Sequence, residues 1–320
     1  MSEMGPENTG DGWERKVLEK VALAAIAEQR ATRRWGVLFK SLLLLYLFIV
    51  LLVGMGWIKR GDYKSPGKHT ALVELRGVIA ADSLAGADNI TSGLQAAFKD
   101  SNTQGVILRI NSPGGSPVQA GYINDEIKRL RGLYPNIPLY AVVEDICASG
   151  GYYVAVAADK IYVDKASIVG SIGVVLDGFG FTGIMEKLGV ERRAITAGEN
   201  KRFMDPFLPL TPAHREFAEK MLGEVHQQFI TVVRNGRGQR LKETPEIFSG
   251  LIWVGQKSIE LGLADALGSV ESVARDVIKA EDVVDFTPRE NIAERVARKF
   301  GAVMAETLLK LSTTSSAQLR

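Results

Sequence analysis

Residues 105–133 read GVILRINSPGGSPVQAGYINDEIKRLRGL, and three patterns succeed one another within them. The first eight residues are a largely apolar run, as expected of a strand covered on both faces. A Ser-Pro-Gly-Gly turn ends that run at Ser112 to Gly115. Beyond the turn, Ile123, Ile127 and Leu130 recur at helical intervals and share one face. The rhythm then repeats. IPLYAVVED (137–145) reads as a second buried strand, SGGYYVAVAAD (149–159) as a short helix and KIYVDKA (160–166) as a third strand, while ALVELRGVIA (71–80) is an alternating strand upstream. Strands and helices in alternation predict an α/β fold with a mostly parallel sheet, whose reactive residues sit at strand ends. Further on, FTGIMEKLG (181–189), the run from Thr211 to about Asn235, GQKSIELG (255–262) and SVESVARDVIKA (269–280) are expected helices. From Glu290 to Leu311, apolar residues including Ile292, Val296, Phe300 and Val303 recur at roughly helical intervals, predicting a C-terminal helix with a packing face.

Composition narrows the function classes. With 46% hydrophobic and 24% charged residues over 320 positions, the chain can bury an ordinary core. Its 39 basic and 37 acidic residues nearly cancel to +2, so nothing suggests a surface built against nucleic-acid phosphates. One cysteine, Cys147, precludes an internal disulfide and a cysteine-rich metal site. His69, His214 and His226 are far apart and form no metal-binding pair. The expectation is therefore no metal, no cofactor and no nucleic acid.

Ser41 to Ile58, SLLLLYLFIVLLVGMGWI, carries no charge, and the apolar character extends back past Lys40 to Trp35. Such a segment can span a hydrocarbon core of about 30 Å as a helix rising 1.5 Å per residue. The many charged residues before it and the poor cleavage motif after it favour an uncleaved anchor over a signal peptide. Basic residues flank both ends, Arg30, Arg33, Arg34 and Lys40 before and Lys59, Arg60, Lys64 and Lys68 after, so charge leaves the orientation open. The resulting organisation is a tail (1–36), a membrane anchor (37–58), a linker (59–70), an α/β domain (71–287) and a C-terminal helix and tail (288–320).

Two glycine-rich turns come directly after buried strands: RINSPGGSP (109–117) and CASGGYY (147–153). Neighbouring parallel strands can bring such turns side by side, where glycine lets backbone N–H groups approach a ligand closely, as an oxyanion hole requires. Ser149 is a candidate nucleophile, with Gly150 and either Gly114 or Gly115 as donors. Each turn has a plainer reading too: Ser149 as a helix cap and the glycines as residues of tight turns. No histidine offers an obvious base. A lysine amine can act as one when burial or nearby positive charge favours its neutral form. Lys201, between a glycine-containing turn and the apolar FMDPF (203–207), is a candidate whose plainer reading is a solvated surface lysine.

The ordered set INSPGG (110–115), ASGGYYVAVAADKIYV (148–163), GSIGVV (170–175), GENKRFMDPF (198–207) and SGLIWVGQKSIELGLADALGSV (249–270) resembles the signal peptide peptidase A family of membrane-anchored Ser/Lys peptidases. The resemblance runs from about Ala71 to Val270. It implies a crotonase-like or Clp-protease-like α/β spiral, with Ser149 as nucleophile and Lys201 as general base. It further implies Gly150 and a glycine of the other turn as the oxyanion hole, and Ser171 as the hydroxyl orienting the lysine. Its other implications are a homo-oligomeric ring with dyads completed between protomers, cleaved signal peptides and other membrane-derived peptides as substrates, and a bacterial inner-membrane location. In that location the N-terminus is cytoplasmic and the catalytic domain lies on the outer, periplasmic side of the lipid bilayer. Arg202 stands where relatives often carry a small residue. The competing readings are a crotonase-like acyl-CoA enzyme, which the anchor and the Ser149 and Lys201 pairing leave unexplained, and a non-catalytic membrane scaffold.

Overall fold

The computed structural model describes residues 11–54 and 67–288. The C-terminal helix expected over 290–311, linker residues 59–66 and the end of the expected anchor, 55–58, lie outside these residues. Two units divide the chain, one containing the N-terminal helix and the other the α/β domain.

Helix α1 (Asp11–Gly54) begins well inside the stretch read as a tail, because the Ala- and Leu-rich sequence from Val17 to Ile26 is itself strongly helix-forming. Its portion Lys16–Leu51 is long and apolar enough to cross a membrane, and every residue of Ser41–Leu51 is exposed. An unpaired apolar surface of this length suits lipid better than water.

The α/β unit is built on one sheet of eight strands among the described residues, in the order β6 (Ile252–Val254), β5 (Ile168–Gly170), β3 (Leu139–Ala148), β2 (Thr103–Ser112), β1 (His69–Arg76), β8 (Val283–Asp285), with β4 (Lys160–Val163) branching from β3 and β7 (Ala266–Leu267) from β4. The central strands are β1 (His69–Arg76), β2 (Thr103–Ser112) and β3 (Leu139–Ala148), joined in parallel. Helices α2 (Ala87–Lys99) and α3 (Pro117–Leu133) are the crossovers between them. Alternate strand residues face two different cores, as the two-residue strand period requires. Val73, Leu108 and Val143 pack in the larger core with Ile90, Leu94, Ile123 and Ile127 of the two helices. Leu72, Ile107 and Val142 pack on the opposite side against Val270, Val273 and Ala274. Helix α2 escaped the reading of the sequence, although Ile90, Leu94, Ala97 and Phe98 hold helical spacing and are all buried.

The helices α4 (Gly150–Ala155), α5 (Thr182–Lys187), α6 (Pro212–Arg237) and α7 (Gly255–Glu260) fall where the sequence places them. The helix expected over 269–280 is a short turn, α8 (Val270–Ser272), continued as a π-helix over Val273–Ile278. The short strands are β4 (Lys160–Val163), β5 (Ile168–Gly170), β6 (Ile252–Val254), β7 (Ala266–Leu267) and β8 (Val283–Asp285). β5 and β6 form the antiparallel exception to the parallel pairing.

One buried ion pair ties α6 to β7. Arg237, only 1% exposed, donates from Nη1 and Nη2 to both carboxylate oxygens of Asp265 at 2.9 Å, and from Nε to the Gly262 carbonyl. Asp265 also accepts the Ile161 N–H. Burial by itself would raise the Asp265 carboxyl, but Arg237, the Ile161 N–H and Arg240 together bring it below its ordinary 3.8. Because the folded value is depressed, the associated stability is present above pH 3.8 and is lost as pH falls through the lower folded value. Arg237→Met leaves Asp265 without its main partner and is expected to destabilise the domain by about 3 kcal/mol at pH 7. Its deficit should shrink in thermal melts as pH falls below 4; a variant melting like the parent at pH 7 would contradict this account.

Candidate active site

Two features of β3 deliver Ser149 to the sheet edge. Its first half pairs with β4 through Tyr140–Val142 and its second half with β5 through Ile146–Ala148. Against β2, Ile110 pairs with Val143 but Ser112 pairs with Cys147, so β3 carries extra residues between these pairings. A bulge of this kind bends a strand and re-aims the residues beyond it.

Just past the end of β3, Ser149 adopts φ 50° and ψ −123°, a conformation that L residues rarely adopt. Such strain costs of order 1–3 kcal/mol and persists only where surrounding structure enforces it. Here the enforcing bonds are visible: the Ser149 N–H donates to the Gly170 carbonyl at 2.9 Å, and the Ser149 carbonyl accepts from Tyr153 N–H at 2.9 Å. Ser149 stands at the N-cap position of α4, yet its hydroxyl makes no capping hydrogen bond. The capping role expected of this side chain is therefore absent, and the half-buried hydroxyl is free to face the cleft. Tyr152 anchors α4 beneath it, fully buried and donating its hydroxyl to the Leu263 carbonyl at 2.8 Å.

The glycine turn after β2 lies directly against Ser149. A Cβ on Gly114 would come within 2.7 Å of both the Gly150 nitrogen and the Ser149 Cβ, and one on Gly115 within 2.2 Å of the Ile79 carbonyl oxygen. Their φ values of 102° and 146° likewise favour glycine. Ile79 straps the turn in place, donating its N–H to the Gly114 carbonyl and accepting the Ser116 N–H. In this bridge the Gly115 N–H takes no part, and its nitrogen lies beside Gly150, 3.3 Å from where a Cβ on Gly150 would sit. The Gly150 N–H, at the first turn of α4, likewise lacks an intrahelical acceptor.

Gly114 differs. Its N–H donates to Ser112 Oγ at 3.2 Å, so of the two candidate donor glycines it is the one with a structural partner. Ser112 is fully buried and also donates its hydroxyl to the Gly77 carbonyl at 2.6 Å. The sequence reading passed over Ser112, although a serine two residues before a glycine is a known side-chain turn signal.

Ser171 shares the cleft with Ser149. It too has a positive φ, 52°, and its N–H donates to the Leu251 carbonyl at 2.8 Å. Since Gly170 holds Ser149, the adjacent Ser171 is necessarily close to the same turn. The cleft has a volume of about 700 Å³ and is lined by Gly115, Ser149, Gly150 and Ser171 on one side and by residues of α3 and α6 on the others. His226 of α6 contacts the Ile172 carbonyl through Nε2 at 3.1 Å, a role that the sequence did not announce. Among the described residues no cluster of His, Cys, Asp or Glu is arranged to hold a metal ion.

Lys201 stands apart. It is exposed, in a turn closed by its N–H to the Gly198 carbonyl, and is not among the residues lining the Ser149 cleft. The apolar residues after it pack locally instead, Phe203 against His214 and Phe217, and Phe207 against Phe181. The structure thus gathers Ser149, Gly115, Gly150 and Ser171, and leaves Lys201 outside.

Similarity to known proteins bears on this geometry. The sequence profile of peptidase family S49 matches residues 133–284. A Na(+)/H(+) antiporter NhaA of Brucella abortus is 44% identical over 182 residues, covering 57% of this chain but 25% of that protein. A provisionally named signal peptide peptidase SppA of Enterococcus faecium is 30% identical over 62% of this chain and 57% of its own. A provisionally named protease of Synechocystis sp. is 30% identical over 65% of this chain and 72% of its own. The chain thus spans about a quarter to somewhat over half the length of the first two relatives.

Cys147 lies two residues before Ser149, wholly buried, and burial pushes its thiol well above the ordinary range. It should resist iodoacetamide in the native protein and react only after unfolding, as mass spectrometry of the tryptic peptide would reveal. Rapid native alkylation would contradict the burial.

Proposed function

The chain belongs to peptidase family S49, the signal peptide peptidase A family, and from that membership we propose that it is a membrane-anchored serine endopeptidase with a Ser/Lys dyad. The observation that carries the reading is Ser149 itself, strained at a strand-to-helix turn with its hydroxyl uncommitted, beside the Gly115 and Gly150 N–H groups. A serine held this way presents its oxygen at a sheet edge, as nucleophile elbows do.

In this mechanism Ser149 Oγ attacks a peptide carbonyl while the Lys201 amine takes its proton. The oxyanion is held by the N–H groups of Gly150 and Gly115, with Gly114 shaping the turn. The protonated amine passes its proton to the leaving nitrogen, and water then hydrolyses the acyl-enzyme. Ser171 orients the amine.

Lys201 reaches the cleft of a neighbouring protomer in this reading. Supporting it, the segment between Ser171 and α6 leaves several apolar side chains uncovered, with Val175 81% and Phe179 82% exposed, and β6 has exposed Ile252 and Val254 at the sheet edge. Surfaces of this kind mark interaction sites. A homo-oligomeric ring would cover them and complete each dyad. Helix α1 anchors the assembly in the inner membrane with the catalytic domain on the periplasmic side, and cleaved signal peptides and other membrane-derived peptides are the substrates. The apolar cleft walls suit such chains.

Ser149→Ala is expected to abolish both labelling by a fluorophosphonate probe and peptide cleavage in detergent-solubilised protein. Lys201→Ala should lower kcat by at least about 1,000-fold, within the range for loss of an activating base. Mixed oligomers of the two inactive variants should regain part of the activity, since some interfaces then pair an intact serine with an intact lysine. An active monomer would refute the shared dyad, and cleavage surviving Ser149→Ala would refute the peptidase reading. Gly115→Ala, whose Cβ would collide with the Ile79 carbonyl and shift the turn, should reduce kcat of the folded variant by about 100-fold or more, as expected when one oxyanion donor is displaced; unchanged kcat would remove Gly115 from the site.

A further inference from the structure

The walls of the Ser149 cleft carry one formally charged side chain. Helix α3 presents Pro117, Val118, Gly121, Tyr122 and Asp125 to the cleft, residues spaced so that a single stripe of the helix forms one wall. The facing residues of α6 are Val225, Gln228 and Phe229, and the floor is the Ser149 and Ser171 turns. Asp125 is exposed, and no ion pair or hydrogen bond engages its carboxylate among the described residues. Its helical neighbours do not neutralise it: Glu126 is paired with Arg129, Arg131 with Asp159, and Lys128 makes no bridge to it. On the neighbouring helix α4, Tyr153, which also lines the cleft, has its hydroxyl shifted upward, chiefly by burial and further by the Asp125 charge.

A lone carboxylate among apolar and aromatic walls has a definite chemical preference. Asp125 is itself exposed, so solvent screens part of its field, and the apolar walls beside it shape what remains within the cleft. A cation arriving there gains an ion pair in a partly desolvated setting, with tyrosine side chains close at hand. An acidic group arriving there meets repulsion with no cationic side chain in the lining to offset it. The position is also defined. Asp125 lies eight residues along α3 from Pro117, which adjoins the Gly115 turn, a distance of about 12 Å at 1.5 Å per residue. An extended peptide covers that distance in about three or four residues.

We propose that Asp125 is a specificity-determining residue, selecting peptides that carry a lysine or arginine about three or four residues from the bond attacked by Ser149. The inference rests on the peptidase reading for the identity of the ligand as a peptide. It adds to that reading a charge requirement that an apolar cleft alone would not impose.

Peptides of one apolar, internally quenched sequence test it, with a single Lys, Gln or Glu moved stepwise through six positions on either side of the scissile bond. Two measurements are made on the full-length protein in mild detergent: kcat/KM on the parent, and Kd by fluorescence anisotropy on the Ser149→Ala protein, which needs no turnover. At one position, Lys should be preferred over Gln by about threefold to tenfold and Glu disfavoured, with the preference compressed at high salt. Asp125→Asn should bring the Lys to Gln ratio to about 1, and Asp125→Lys should reverse the order of Lys and Glu. A ratio near 1 at every position in the parent, a preference that persists in both variants, or no measurable binding of the lysine peptide would overturn the inference. Lysine-selective binding lost in Asp125→Asn but accompanied by no cleavage would uphold it and sink the peptidase reading. Cleavage without selectivity would do the reverse.

Discussion

Two stretches of backbone approach one another at Gly114 and Gly115 more closely than any side chain permits. On one side, the Ile79 carbonyl would lie 2.2 Å from a Cβ on Gly115; on the other, the Gly150 nitrogen would lie 2.7 Å from a Cβ on Gly114. This contact sets the position of the turn after β2 relative to the turn after β3. The proposed oxyanion site depends on it, because two backbone donors from different strands can converge only when nothing stands between them. Ser112 reinforces the arrangement from beneath, linking Gly77 to Gly114 through a buried hydroxyl.

The strain at Ser149 arises from the same construction. β3 leaves β4, bulges, and joins β5 before it ends, so its last residues are held on one edge by β2 and on the other by β5. The Gly170 carbonyl then fixes the Ser149 N–H, and buried Tyr152 fixes the helix beyond. With both sides secured, the chain must turn within a single residue. A serine in an ordinary cap conformation would instead direct its oxygen back to its own helix. The positive φ releases that oxygen, and this distinguishes a cap from a candidate nucleophile.

Much of this was legible in the residue pattern, and the parts that were not share a cause. β2 and β3 were readable because parallel strands buried on both sides are continuously apolar, β1 because its residues alternate, and α3 because it keeps a regular buried stripe. α2 was harder, since Thr91, Ser92 and Gly93 interrupt its apolar spacing. The strands β5 to β8 have only two or three residues each, too short for any periodicity to register. Ser112 left a local signal in its spacing to Gly114, but its Gly77 partner, like the Ile172 partner of His226, is a carbonyl distant in sequence, and a backbone carbonyl leaves no compositional mark.

The sequence by itself determined an α/β architecture, an N-terminal helix apolar enough for a membrane, and the set of motifs that makes Ser149 and the two glycine turns candidates. These come from local rules: side-chain period, turn chemistry and the solvent preference of a long apolar run. Only the tertiary structure decided which glycine N–H remains without a partner, that the Ser149 hydroxyl does not cap α4, and that Lys201 lies outside the cleft of its own chain. Those outcomes depend on which backbone groups meet across strands separated by many residues. Hydrogen-bond satisfaction is decided by that meeting and cannot be read from any one segment.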